Sequence, residues 1–162
     1  KMNQGVEHSL LKCPGKFSVR VATFRGNVII DQTKVQRIEQ GGEMETRLQL
    51  AAEKAHRLTE ELRKRRIEAY EFHDRHESIV TVGSFQDVGP KLPDGRIDIN
   101  PAIYRIMKQY GPQEQSVPGG GAQNLTGLQP RKLAGISFDV QPYPVQVPRR
   151  SIAGDYARGL RL

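Results

Sequence analysis

Two stretches, FSVRVATF at 17–24 and SIVTVGSF at 78–85, align without gaps: Val19 falls on Val80, Val21 on Val82 and Phe24 on Phe85. Both alternate β-branched residues with small or polar ones, the period of two that a half-buried strand requires. In the first, Phe17, Val19 and Val21 point one way, and Ser18, Arg20 and Ala22 the other. Each stretch is followed, after an insert, by a helical pattern. Two β-α units of one kind predict a pseudo-twofold sheet.

The first helix is expected over 43–65, after the break at Gly41-Gly42. Met44, Leu48, Ala51, Ala52, Ala55, Leu58 and Leu62 recur at three- and four-residue steps. One apolar stripe means one packing surface, so the helix lies across a sheet. IEAYEF at 67–72 reads as a second strand, Asp74–Glu77 as a turn, and Pro93-Asp94-Gly95 as a hairpin tip between Leu92 and Ile97. Asn100-Pro101 starts a second helix: Asn caps it, and Pro fits the first position, where its missing N–H is not needed. Gly111 is expected to end it in the left-handed conformation. The order β-α-β-β-α-(β) predicts an α+β, ferredoxin-like domain, with a four-stranded antiparallel sheet, two helices on one face and the other face open.

Around this core, 1–15 read as an N-terminal arm or linker, ended by the breaker Pro14-Gly15. Residues 16–111 form the domain. NVIID at 27–31 continues the first strand after a bulge or forms a short extra one. Residues 112–135, rich in Pro, Gly and Gln, read as a flexible linker. Residues 136–162 read as a last strand, near 136–141, and an extended C-terminal arm. Pro142 and Pro144 forbid a central strand there. A short helix around 151–160 is expected in the arginine-rich tail. A first residue Lys1, in place of Met, predicts a piece of a longer protein.

The chemistry-bearing residues are sparse. The single Cys13 has no internal disulfide partner, and no Cys/His cluster has zinc spacing, so neither metal nor cofactor is expected. His73 and His76 lie in FHDRHE, read as a solvated turn. GGG at 119–121 is followed by no GK[ST], so it is no phosphate loop. Nothing has Ser-His-Asp spacing or paired carboxylates in a pocket context, and no enzyme is expected. No stretch is apolar enough to span a bilayer. A net charge of +7 with pI ≈ 9.8 predicts attraction to nucleic acid, teichoic-type polymers or acidic membrane. RKRR at 63–66 is the densest basic run and falls at a helix end, where cations complement the dipole.

The pattern aromatic-x-Val-x-Val-small-Thr-Phe, a helix with alanine and leucine spacing, EAY, and then Val-x-Val-Gly-Ser-Phe resembles the SPOR domain over about 17–111. This chain departs from the family by its inserts at 25–42 and 86–99, and by Arg65-Arg66 where a glycine is usual. The linker and tail have no counterpart. The resemblance implies a bacterial envelope or periplasmic module that binds peptidoglycan, preferentially glycan strands stripped of stem peptides. It places glycan-binding residues on the sheet face away from the helices: Ser18, Arg20, Tyr70, Ile79 and Thr81. Two other readings stay open. One is a structural or assembly role, with the sheet and the 136–162 arm contacting partner proteins. The other is RNA binding, which the same topology serves. Nucleic acid is the weaker expectation, because Ile79 and Thr81 put no aromatic on that face of the third strand.

Overall fold

The computed structural model describes residues 3–26, 43–117 and 125–149. The expectations for 27–31, Gly41-Gly42, the 119–121 glycines and the 151–160 helix lie outside them. The elements are a 3₁₀ turn at Leu10–Lys12, β1 (Phe17–Arg25), α1 (Glu43–Lys64), β2 (Ala69–His73), β3 (Glu77–Phe85), α2 (Pro101–Tyr110), β4 (Gln113–Val117), β5 (Leu125–Gln129), β6 (Lys132–Leu133), β7 (Ile136–Ser137) and β8 (Tyr143–Gln146).

The α+β reading holds. Four antiparallel strands lie in the order β2-β3-β1-β8, with the two similar stretches paired at the centre. The helix-side core gathers Val19, Val21 and Ala22 from β1 and Ala55, Leu58 and Leu62 from α1, together with Ala69, Val80, Val82 and Ile103. The α1 stripe runs Ala51, Ala55, Leu58, Leu62, all buried, so periodicity alone located this contact. Ala22 was expected on the far face. A register shift between Arg20 and Ala22 turns it to the helices: one extra residue in a strand reverses the facing of the residues beyond it.

Asn100 caps α2 by accepting from the Ala102 N–H at 2.9 Å, with Pro101 next. Gly111 does not take the expected left-handed shape: its φ is −65° and its N–H donates to Met107 O. The left-handed residue is at the end of the other helix, where Arg66 has φ 61°. Gly83 of VGSF does need glycine. Its φ is +80°, and a Cβ there would sit 2.7 Å from the Phe85 ring.

The periphery differs most from expectation. The described part of 112–135 is no loose linker: β4 and β5 pair as a hairpin, and β6 pairs with β7. Phe138 reaches back to Tyr110, ring centroids 5.0 Å apart. The last strand is Tyr143–Gln146, later than 136–141, and it pairs with β1 as an edge. The Val147 N–H donates to Lys16 O, so Tyr143, Val145 and Val147 aim their amides inward. The outward positions fall on Pro142, Pro144, Gln146 and Pro148, and proline has no N–H to offer.

Residues 3–16 are no free arm either. The Glu71 N–H donates to His8 O, and Ser9 bridges Glu71 in parallel along the outer edge of β2. Asn3 exchanges two 2.8 Å hydrogen bonds with the His73 backbone. Leu10 and Cys13 then cross the sheet face away from the helices and pack with Tyr70 and Val147. No helix among the described residues is long and apolar enough to cross a membrane.

Candidate binding face of the sheet

Cross-strand pairing sets the outer face in rows. Tyr70 pairs with Thr81, Thr81 with Arg20, and Arg20 with Tyr143, one row across all four strands. The next row is Phe72, Ile79 and Thr23; the third holds Glu77 and Arg25. Ser18 pairs with Val145 at the other end. The structure therefore brings together the five residues expected from the sequence.

It does not leave them all accessible. Ser18, Thr81 and Tyr70 are buried, and the N-terminal turn and Val147 pack onto Tyr70, Phe72 and Ile79, which corrects the expectation of an open face. Ser18 Oγ is spent on Gly83 O at 2.7 Å. The Tyr70 hydroxyl donates to Glu68 Oε1 at 2.6 Å, with the Arg63 guanidinium over its ring. Burial and the Glu68 carboxylate raise its pKa far above the usual phenol range. Such a group orders the local structure but offers nothing to a ligand.

The other half of the face is only partly covered. Arg20 is half-buried, with its guanidinium carbon 4.3 Å from the Tyr143 ring centroid. Arg20 Nη1 and Arg25 Nε each reach a different oxygen of Glu77, both at 3.2 Å. Phe72 and Ile79 are half-buried, packed against the N-terminal turn, and Tyr143 is 39% exposed. Arg20 Nε and Thr81 Oγ1, neighbours in the first row, are buried without a hydrogen-bond partner among the described residues. A flat strip of aromatic and aliphatic surface edged by arginines results. No family model, curated protein or solved structure matches this chain.

Tyr143, Phe72 and Glu77 were missed from the sequence. For Tyr143 the signal was present: Tyr143-x-Val145-x-Val147 keeps a period of two, and the prolines between masked it.

A second cluster lies on the helix side. Glu71, 1% exposed, holds His56 Nδ1 at 2.9 Å and His73 Nε2 at 3.2 Å, while His73 Nδ1 meets Ser78 Oγ at 2.9 Å. His73 is thus a half-buried strand residue rather than part of a solvated turn. The Ser-His-Glu chain is geometrically suggestive, but Ser78 is buried. No metal-holding group of His, Cys, Asp or Glu occurs among the described residues.

The Glu71 hydrogen bond raises the pKa of His56 above its ordinary 6.5, against the effect of burial. Burial pushes Glu71 up, but the hydrogen bonds of His73 and His56 outweigh it and hold the carboxyl below its ordinary 4.5. A raised histidine stabilises the fold at pH below 6.5 and loses that contribution as pH rises through its folded pKa. A lowered carboxylate stabilises above 4.5 and loses its contribution as pH falls through its folded pKa. The pair therefore helps most between these values. We expect thermal unfolding midpoints to be higher at about pH 6 than at about pH 8, with the difference shrinking in His56→Gln.

Proposed function

We propose that this chain is a non-catalytic, SPOR-like binding module that takes peptidoglycan glycan strands on the less covered half of its outer sheet face, at Arg20 and Tyr143. The carrying observation is the Arg20–Tyr143 stack, with Ile79 in the neighbouring row of the face. Sugar rings lay their C–H faces on such surfaces and give their hydroxyls to charged side chains at the rim. Amidase removal of a stem peptide leaves a carboxylate on the sugar's lactyl group, so stripped strands are polyanions. The chain's net charge of +7 complements them. The envelope or periplasmic location rests on this reading alone.

The described part of the C-terminal segment docks on the chain's own sheet, which favours a self-contained module over assembly through that segment. RNA is less well served. The outer-face aromatics are on β2 and the edge strand β8, not on the two central strands where RNA-recognition modules stack bases.

The test is co-sedimentation with bacterial sacculi before and after amidase treatment. Binding should rise after amidase and fall about tenfold in Tyr143→Ala and in Arg20→Ala. Thr81→Ala, at a buried position, should bind like the parent. Absence of pelleting, or equal pelleting by Tyr143→Ala and Arg20→Ala, would overturn the reading.

A further inference from the structure

The N-terminal segment meets the domain along a seam of histidines and glutamates. Three elements converge there, and each contributes one histidine and one glutamate. Residues 3–13 bring Glu7 and His8, α1 brings His56 and Glu60, and β2 brings Glu71 and His73. His8 Nε2 lies 3.6 Å from Glu60 Oε1 and 3.9 Å from Glu7 Oε1. His56 Nδ1 and His73 Nε2 lie 2.9 and 3.2 Å from the two oxygens of Glu71, whose own N–H donates to His8 O. The permanent cations beside the seam are otherwise engaged. The Lys12 ammonium donates to Val6 O and Glu7 O, and Arg63 serves Ala69 O and the Tyr70 ring. With neutral imidazoles the seam therefore holds three carboxylates facing one another. With protonated imidazoles the six charges balance.

The rest of the attachment is slight for a segment that covers so much. The strand pairing of 3–13 with β2 is one isolated bridge, Ser9 with Glu71, supplemented by the Asn3 amide on His73. Beneath the segment, Leu10 and Cys13 pack on Tyr70, Phe72 and Ile79. Its base is pinned. Gly15 lies so close to β3 that a Cβ would sit 2.5 Å from Phe85 N, and Lys16 O accepts from the Val147 N–H. The four strands pair with one another without help from 3–13, so this segment can lift while the sheet stays whole.

We infer that residues 3–13 form a pH-latched strap: protonated histidines hold it to the sheet edge, and losing those protons frees it to lift from Tyr70, Phe72 and Ile79. Imidazole is the side chain whose charge changes near neutral pH, so a seam built on it opens and closes in that range. Lysine or arginine in the same places would fasten the strap at every physiological pH. The sign follows from His56. The Glu71 hydrogen bond raises its pKa above the ordinary 6.5, with the fields of Glu60 and Glu7 adding to it. A raised histidine stabilises the closed form at low pH and loses that contribution as pH rises. The inference is independent of the glycan reading and uses no residue of the Arg20–Tyr143 stack.

Cys13, buried within the strap's contact, reports the opening. The experiment is maleimide labelling of the whole chain, each rate divided by that of the urea-unfolded chain at the same pH, which removes the thiol's own pH response. The normalised rate should be roughly fivefold higher at about pH 8 than at about pH 6, the upper end for a partly exposed ion pair. His8→Gln combined with His56→Gln should flatten the difference. His8→Lys, charged at both pH values, should keep labelling slow at the higher one. Dilute urea separates lifting from unfolding, because a local opening exposes little surface and its rate stays nearly constant. Equal normalised rates at the two pH values would overturn the proposal. So would a pH difference that persists in the double variant, parent-like labelling by His8→Lys at the higher pH, or labelling that climbs with urea in step with global unfolding.

Discussion

Leu10→Ala is expected to lower the unfolding free energy by about 2–4 kcal/mol, the range for truncating a fully buried leucine. Leu10 is in a segment that reads as an arm or linker, so an effect of core size there is diagnostic. Its side chain is fully buried against the outer sheet face, in a cluster with Cys13, Tyr70 and Val147 and beside Phe72 and Ile79. Ser9 fixes the turn that delivers it, accepting from the Leu11 N–H. Urea denaturation measures the loss. Cys13, the chain's only cysteine, gives a second readout. Its thiol is buried under the same turn, so maleimide labelling should accelerate in Leu10→Ala under native conditions. A loss below about 1 kcal/mol with unchanged labelling would mean that the turn rests on the face without holding it.

Glu71→Ala should cost about 3–5 kcal/mol, because removing one partner of a buried pair leaves the others unsatisfied. Glu71 is nearly inaccessible, and its two oxygens face His56 and His73. Partial exposure of His56 (58% for its side chain) places the expected value at the lower end. Glu71→Gln should cost less, since an amide keeps a hydrogen-bonding group beside His56. By contrast, Arg25→Ala, which removes an exposed partner of Glu77, should cost no more than about 1 kcal/mol. Denaturation at about pH 6 measures all three. If Glu71→Ala is as mild as Arg25→Ala, the pairing is incidental to folding.

The central layers of the fold were readable because each rests on a local rule. The alternation in FSVRVATF and SIVTVGSF, the alanine-leucine stripe of α1 and the Asn100-Pro101 cap all appear where expected. The site was half-readable for the same reason. Alternation put Arg20, Thr81 and Tyr70 on one face, and the structure aligns them in one row. Alternation cannot say what covers a face. Leu10 lies seventy-one residues before Thr81, and nothing in its neighbourhood announces a long-range contact. Glu71 was equally opaque: its burial depends on two histidines brought in from α1 and from its own strand. The Gln- and Gly-rich stretch after Gly111 was misread because composition marks poor core-formers, yet a hairpin such as β4–β5 needs no core to close its own hydrogen bonds.

The proline spacing along β8 bears on crowding. A β-sheet grows by adding a strand to an exposed border, and that is how folded domains seed fibres. Here Pro142, Pro144 and Pro148 strip the amides from one border, while residues 3–9 occupy the other. Many copies packed side by side would therefore find little template in one another along the borders of the four-stranded sheet. Such a domain can be displayed densely on a surface and remain a set of separate units.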